Sequence, residues 1–123
     1  MRETSQRVIR ECLNNLREIK RQKAALKEHY QRSFKNESRR SDSRRAKRYI
    51  ESQYEQECND FVNDCQEELA QCCQLPELKC CWNGVCNRQG QVYDDCPEED
   101  FDAAVDNAIE TLAWLVVPVR VRC

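Results

Sequence analysis

Tyr54-Glu-Gln-Glu-Cys58-Asn-Asp-Phe61-Val-Asn-Asp-Cys65-Gln-Glu-Glu-Leu69-Ala-Gln-Cys72-Cys73 is the stretch whose reading decides the fold. Tyr54, Cys58, Phe61, Cys65, Leu69 and Cys72 recur at alternating intervals of three and four, the signature of one helix face. Cys58, Cys65 and Cys72 stand seven apart, so they stack along one stripe at two-turn intervals. Ile50 and Val62 support the same face. The periodicity predicts a helix from about Arg44 to Cys73, pointing its cysteines at a partner element. Gln74-Leu75-Pro76 ends it, because the residue before proline is pushed out of the α region.

Upstream, residues 1–73 contain neither glycine nor proline. Ile9, Cys12, Leu16, Ile19, Leu26 and Tyr30 form a second stripe at helical spacing, interrupted only by Lys23 and widened by Leu13 and Phe34. Thr4 or Ser5 serves as its N-cap. The polar run from Lys35 to Ser43 breaks the pattern, since Ser and Asp side chains compete for backbone hydrogen bonds. A turn near 36–42 then folds residues 5–73 into a long antiparallel helical hairpin with coiled-coil-like seams. In that register Cys12 lies level with residue ~68, between Cys65 and Cys72. A bridge to either closes a loop of about 55 residues, stabilising by ~4 kcal/mol from chain entropy.

Downstream, residues 74–97 change character. Trp82-Asn83-Gly84-Val85 reads as a two-residue hairpin of the Asn-Gly type. Arg88-Gln89-Gly90-Gln91 reads as a second, weaker turn. In such a hairpin Cys81 and Cys86 face each other at a non-hydrogen-bonded site, where side chains approach closest, and a Cys81–Cys86 bridge follows. Pro97 followed by Glu98, Glu99 and Asp100 starts a helix over 98–115, with Phe101, Val105, Ile109 and Leu112 on its inner face. Residues 116–123 break at Pro118 and alternate, which suits an extended tail. The expectation is a mainly α single domain: a long antiparallel helical hairpin stapled by disulfides, a small Cys-rich hairpin or loop cap, and one short C-terminal helix.

Ten cysteines in 123 residues reach the edge of disulfide-scaffold composition. The net charge of −2 conceals an asymmetry. Residues 1–48 hold sixteen Lys and Arg against six Asp and Glu, and residues 49–123 hold four against sixteen. No run reaches the ~18 apolar residues of a membrane span. The basic run Arg39, Arg40, Arg44, Arg45, Lys47 and Arg48 is the candidate polyanion site. It has only Tyr30, Phe34 and Tyr49 nearby for base stacking. Trp114, Leu115, Val116 and Val117 form an apolar stretch suited to a protein partner.

All ten cysteines are disulfide candidates: Cys12, Cys58, Cys65, Cys72, Cys73, Cys80, Cys81, Cys86, Cys96 and Cys123, the last also able to bridge chains. A four-thiolate zinc site drawn from Cys72, Cys73, Cys80, Cys81 and Cys86 is the alternative. There is no Cys-x-x-Cys, and the single His29 stands in a charged helix as a solvent-facing residue. No cofactor is expected. Disulfides imply an oxidising compartment, yet Met1-Arg2-Glu3-Thr4-Ser5 opens no secretory signal. A processed secreted domain, a virion component and a mitochondrial intermembrane-space protein all fit. The interval Cys86-Asn-Arg-Gln-Gly-Gln-Val-Tyr-Asp-Asp-Cys96 resembles one half of the twin Cys-x9-Cys pattern of that last class; a second half is absent. Asn36-Glu37-Ser38 is a glycosylation sequon in a secreted chain.

There is no Gly-rich phosphate loop, no HExxH and no nucleophile set that one histidine completes. Acidic pairs such as Glu67/Glu68 and Asp94/Asp95 read as solvated surface. The expectation is therefore a non-enzymatic structural or accessory subunit, stabilised by disulfides within a larger assembly. The alternatives are a secreted disulfide-rich binding or effector protein, or a polyanion-binding protein acting through residues 1–48.

Overall fold

The computed structural model describes residues 4–37 and 44–116. Four α-helices follow one another: α1 (Gln6–Glu37), α2 (Arg44–Asp64), α3 (Gln66–Cys73) and α4 (Glu98–Leu115), with a 3-10 segment Pro76–Trp82 between the last two. The mainly helical class and the long first helix match the sequence pattern. Ser5 caps α1, its Oγ accepting from the Val8 amide at 3.3 Å, the N3 position where such caps act. The expected turn, with Arg39 and Arg40, lies outside the described residues, as do Val117 and Cys123.

The chain divides into two compact units, residues 1–20 with 66–123, and residues 21–65. In the first, Ile9, Cys12, Leu13, Leu16 and Ile19 of α1 are buried. They meet Leu69, Cys72 and Cys73 of α3, Leu78 and Trp82 of the 3-10 segment, and Phe101, Ala104, Val105, Ala108 and Leu112 of α4 in one core. Leu16, Leu69, Leu78 and Leu112 are almost wholly enclosed, each contributing roughly 1.5–3 kcal/mol by burial. α4 runs antiparallel to α1. Gln6 Nε2 donates to the Leu115 carbonyl at 2.9 Å, and Lys20 pairs with Asp106 at 2.7 Å. The latter pair is exposed and worth ~0–1 kcal/mol.

The second unit is a two-helix layer. Tyr30 and Tyr54 rings lie 5.4 Å apart, and Lys47 Nζ sits 5.5 Å from the centre of the Phe34 ring, so the two helices run antiparallel. Tyr30 is buried here, as is Lys23 at 6% exposure, and Lys23 is not left without a partner. The break in the stripe is thus filled by a buried lysine, which an apolar environment tolerates only when its charge is answered.

Three details differ from the sequence expectation. The second helix is interrupted at Cys65, after Asn63 and Asp64, whose side chains compete for backbone hydrogen bonds. Cys12 meets Cys72, one of the two partners expected for it, and not a point level with residue 68; the Cys72 Sγ donates to the Cys12 carbonyl at 3.8 Å. Finally, the Asn83-Gly84 hairpin does not form. Asn83 has φ −60° and ψ 123° and Gly84 has φ +75°, a type II turn closed by the Val85 amide on the Trp82 carbonyl at 3.0 Å. The hairpin form needs φ > 0 at both central residues, and type II splays flanking strands. Cys81 therefore lies on a 3-10 segment, not on a strand opposite Cys86.

Candidate functional site

The weaker turn signal is the one that pairs strands. Cys86 and Val92 form an antiparallel bridge, and the Tyr93 amide donates to the Val85 carbonyl at 2.9 Å. Between them the Asn87 Oδ1 accepts from the Gln89 and Gln91 amides, both at 3.0 Å, an Asx turn that holds the loop. Gln66 of α3 and Gln74, just past its end, donate their side-chain amides to the Gln89 and Arg88 carbonyls, each at 3.4 Å. The loop is thereby fixed against α3.

Cys72 and Cys73 are successive on α3, about 100° apart around its axis, and so address different neighbours. The Cys72 and Cys12 thiols hydrogen-bond to each other, while Cys73 Sγ lies 3.0 Å from Cys86 Sγ. All four are buried. Burial holds the Cys12 and Cys72 thiols above the usual thiol range. In the other pair, the shared hydrogen bond pulls Cys86 below that range and pushes Cys73 above it.

Cys73 and Cys86 both line a surface cleft of about 560 Å³, with Trp82, Lys79, Arg88 and Tyr93 around them. The indole Nε1 of Trp82 is buried and has no hydrogen-bond partner among the described residues. Cys80 is exposed, Cys81 half-buried, and Cys96 donates to the Pro97 carbonyl at 3.4 Å. Burial, then Asp100 and Asp95, raises the Cys96 thiol. Cys58 and Cys65 are half-buried. Of the five cysteines considered for zinc, the structure brings Cys73 to Cys86, and no group of three or more metal-ligating side chains gathers among the described residues.

A second concavity, of about 330 Å³, lies within residues 21–65 and is lined by Tyr30, Phe34, Ile50 and Tyr54, together with Lys27, Lys35 and Glu51. Of the basic run, Arg44, Arg45 and Arg48 are exposed and Lys47 is half-buried. Trp114 is 83% exposed and Leu115 is also exposed; Val116 is half-buried. His29 is exposed, its ring edge-on to Tyr30 at 5.2 Å. No helix among the described residues is long and apolar enough to cross a membrane.

No family model matches the sequence, no curated protein matches it, and no solved structure matches the fold.

The Cys73–Cys86 juxtaposition escaped the sequence reading. Its signal was the vicinal Cys72-Cys73 pair: adjacent helix positions cannot both face one partner, so the second cysteine required a neighbour of its own.

Proposed function

We propose that the protein is a non-enzymatic accessory subunit of a larger protein assembly, stabilised by disulfides, whose residues 21–65 receive an amphipathic helix from a partner protein. The observation that carries this reading is α2. It is 21 residues long, and none of them is buried, although Ile50, Tyr54, Cys58, Phe61 and Val62 lie along it at helical spacing. An amphipathic helix gains most of its stability from packing its apolar face, and here one face meets α1 while the groove beside Tyr30 and Phe34 stays open. A groove between two antiparallel helices accepts a third by ridges-into-grooves packing. Lys27 and Lys35 outnumber Glu51 among the lining residues, and with the exposed Arg44, Arg45 and Arg48 of α2 they favour acidic flanks on that third helix.

The test is size-exclusion chromatography with light scattering on protein purified from its native source. The chain should elute in a stoichiometric complex far above its own 14.6 kDa, and the double variant Ile50→Glu, Tyr54→Glu should release it as a monomer. A native-source monomer with every cysteine paired internally would overturn the reading.

A further inference from the structure

The geometry points to Cys73 and Cys86 as a disulfide pair, formed by exchange with a small anionic disulfide of the glutathione class that enters the cleft they line. The two sulfurs are 3.0 Å apart, about 1 Å from the ~2.05 Å bond length. Their backbones are already held, Cys73 in α3 and Cys86 in its bridge with Val92, so bonding needs no rearrangement of either element. The cleft of about 560 Å³ falls in the size range of small-molecule sites. Lys79 and Arg88 among its lining residues give it the charge that suits an anionic disulfide.

The Cys86 thiolate attacks one sulfur of the small disulfide, forming a mixed disulfide and releasing one small thiolate. That thiolate takes up a proton as Cys73 loses its own. The Cys73 thiolate then attacks Cys86 Sγ and expels the second small thiolate, which takes up the proton that Cys86 released to solvent on ionising. Two protein thiols are oxidised, one small disulfide is reduced to two thiols, and no net proton is gained or lost. The hydrogen bond the two sulfurs share lowers the Cys86 thiol and favours the thiolate there, the reactive form.

This inference rests on the disulfide stabilisation in the proposed function and not on the docking of a partner at residues 21–65. The experiment treats the purified, reduced full chain with oxidised glutathione, blocks remaining thiols in denaturant, and digests at Glu and at Lys/Arg. Peptide 69–77 should appear joined to peptide 80–88, with fragmentation placing the bond on Cys73. The join should survive Cys80→Ser and Cys81→Ser, both outside the core, and vanish in Cys86→Ser. The join should also persist in the Ile50→Glu, Tyr54→Glu variant, which separates its failure from that of the assembly reading. A bond on Cys72, a join lost in Cys81→Ser but kept in Cys86→Ser, or ten blocked thiols after oxidation would overturn it.

Discussion

Gly90 and Ala70 stand in backbone contact. A Cβ on Gly90 would come 2.7 Å from the Ala70 amide nitrogen and 2.6 Å from the Gln66 carbonyl oxygen. Gly90 also has φ +79°, a conformation that residues with a Cβ rarely adopt. This one residue therefore lets the 87–91 loop seat directly on α3, and the loop in turn carries Cys86 to Cys73.

Gly84 provides the internal control. Its φ is +75°, but nothing lies within 4 Å of where its Cβ would be. Gly84→Ala should cost about 1 kcal/mol, the backbone strain alone, whereas Gly90→Ala adds a collision with helix backbone and should cost roughly 2–4 kcal/mol. Denaturant unfolding of the two variants checks this. Equal losses would mean that the contact with α3 contributes nothing.

The two tryptophans should report on opposite environments. Trp82 is 4% exposed and Trp114 83% exposed. Trp82→Ala removes a core side chain and should destabilise by about 3–5 kcal/mol, while Trp114→Ala should stay within about 0.5 kcal/mol. In fluorescence, Trp114→Phe should leave a blue-shifted emission shielded from acrylamide, and Trp82→Phe a red-shifted, readily quenched one. Quenching of both to the same extent would contradict the buried position of Trp82.

Much of this fold was legible because helical periodicity is a local signal. The stripe Ile9, Cys12, Leu16, Ile19 is the buried face of α1, and Pro97 with its acidic followers opens α4. The 74–97 region was read less well, since Asn83-Gly84 is compatible with more than one turn. The chain enters this turn from the 3-10 segment Pro76–Trp82 and not from a strand, which the dipeptide does not encode. Cys12 meets Cys72, one of the two partners the stripe offered it, since periodicity narrows a seam to neighbouring turns without choosing between them. The stripe on α2 was read correctly as apolar but not as unburied. Whether a stripe is covered depends on how many layers face it.

Tyr30 should titrate late. Its hydroxyl donates to the Glu57 carboxylate, and that bond, with burial, pushes its pKa up to about 12. The unfolded value is ~10, so the folded pKa is raised. The stabilisation of the 21–65 helical pair is then present in full below pH ~10 and is lost as pH rises through ~12. Ultraviolet titration should show a phenolate forming near pH 12 that Tyr30→Phe deletes and Glu57→Ala moves to lower pH. A titration curve unchanged at high pH by either substitution would contradict the Tyr30–Glu57 bond.

The uneven distribution of buried side chains should appear in amide hydrogen exchange. Local opening is cheap where few apolar side chains are buried. α4 buries Phe101, Ala104, Val105, Ala108 and Leu112, while α2, three residues longer, buries none. In the isolated chain, α2 amides should exchange at least about tenfold faster than those of α4, a difference of ~1.4 kcal/mol in opening free energy. The α1 amides should divide, slow around Cys12 to Ile19 and faster beyond Leu26, where the stripe is only half-buried apart from Tyr30. Occupation of the groove at Ile50 and Tyr54 by a partner helix should slow α2 selectively and leave α4 unchanged. Equal protection of α2 and α4 in the isolated chain would show that α2 needs no further layer, and the case for a docking helix would fall with it.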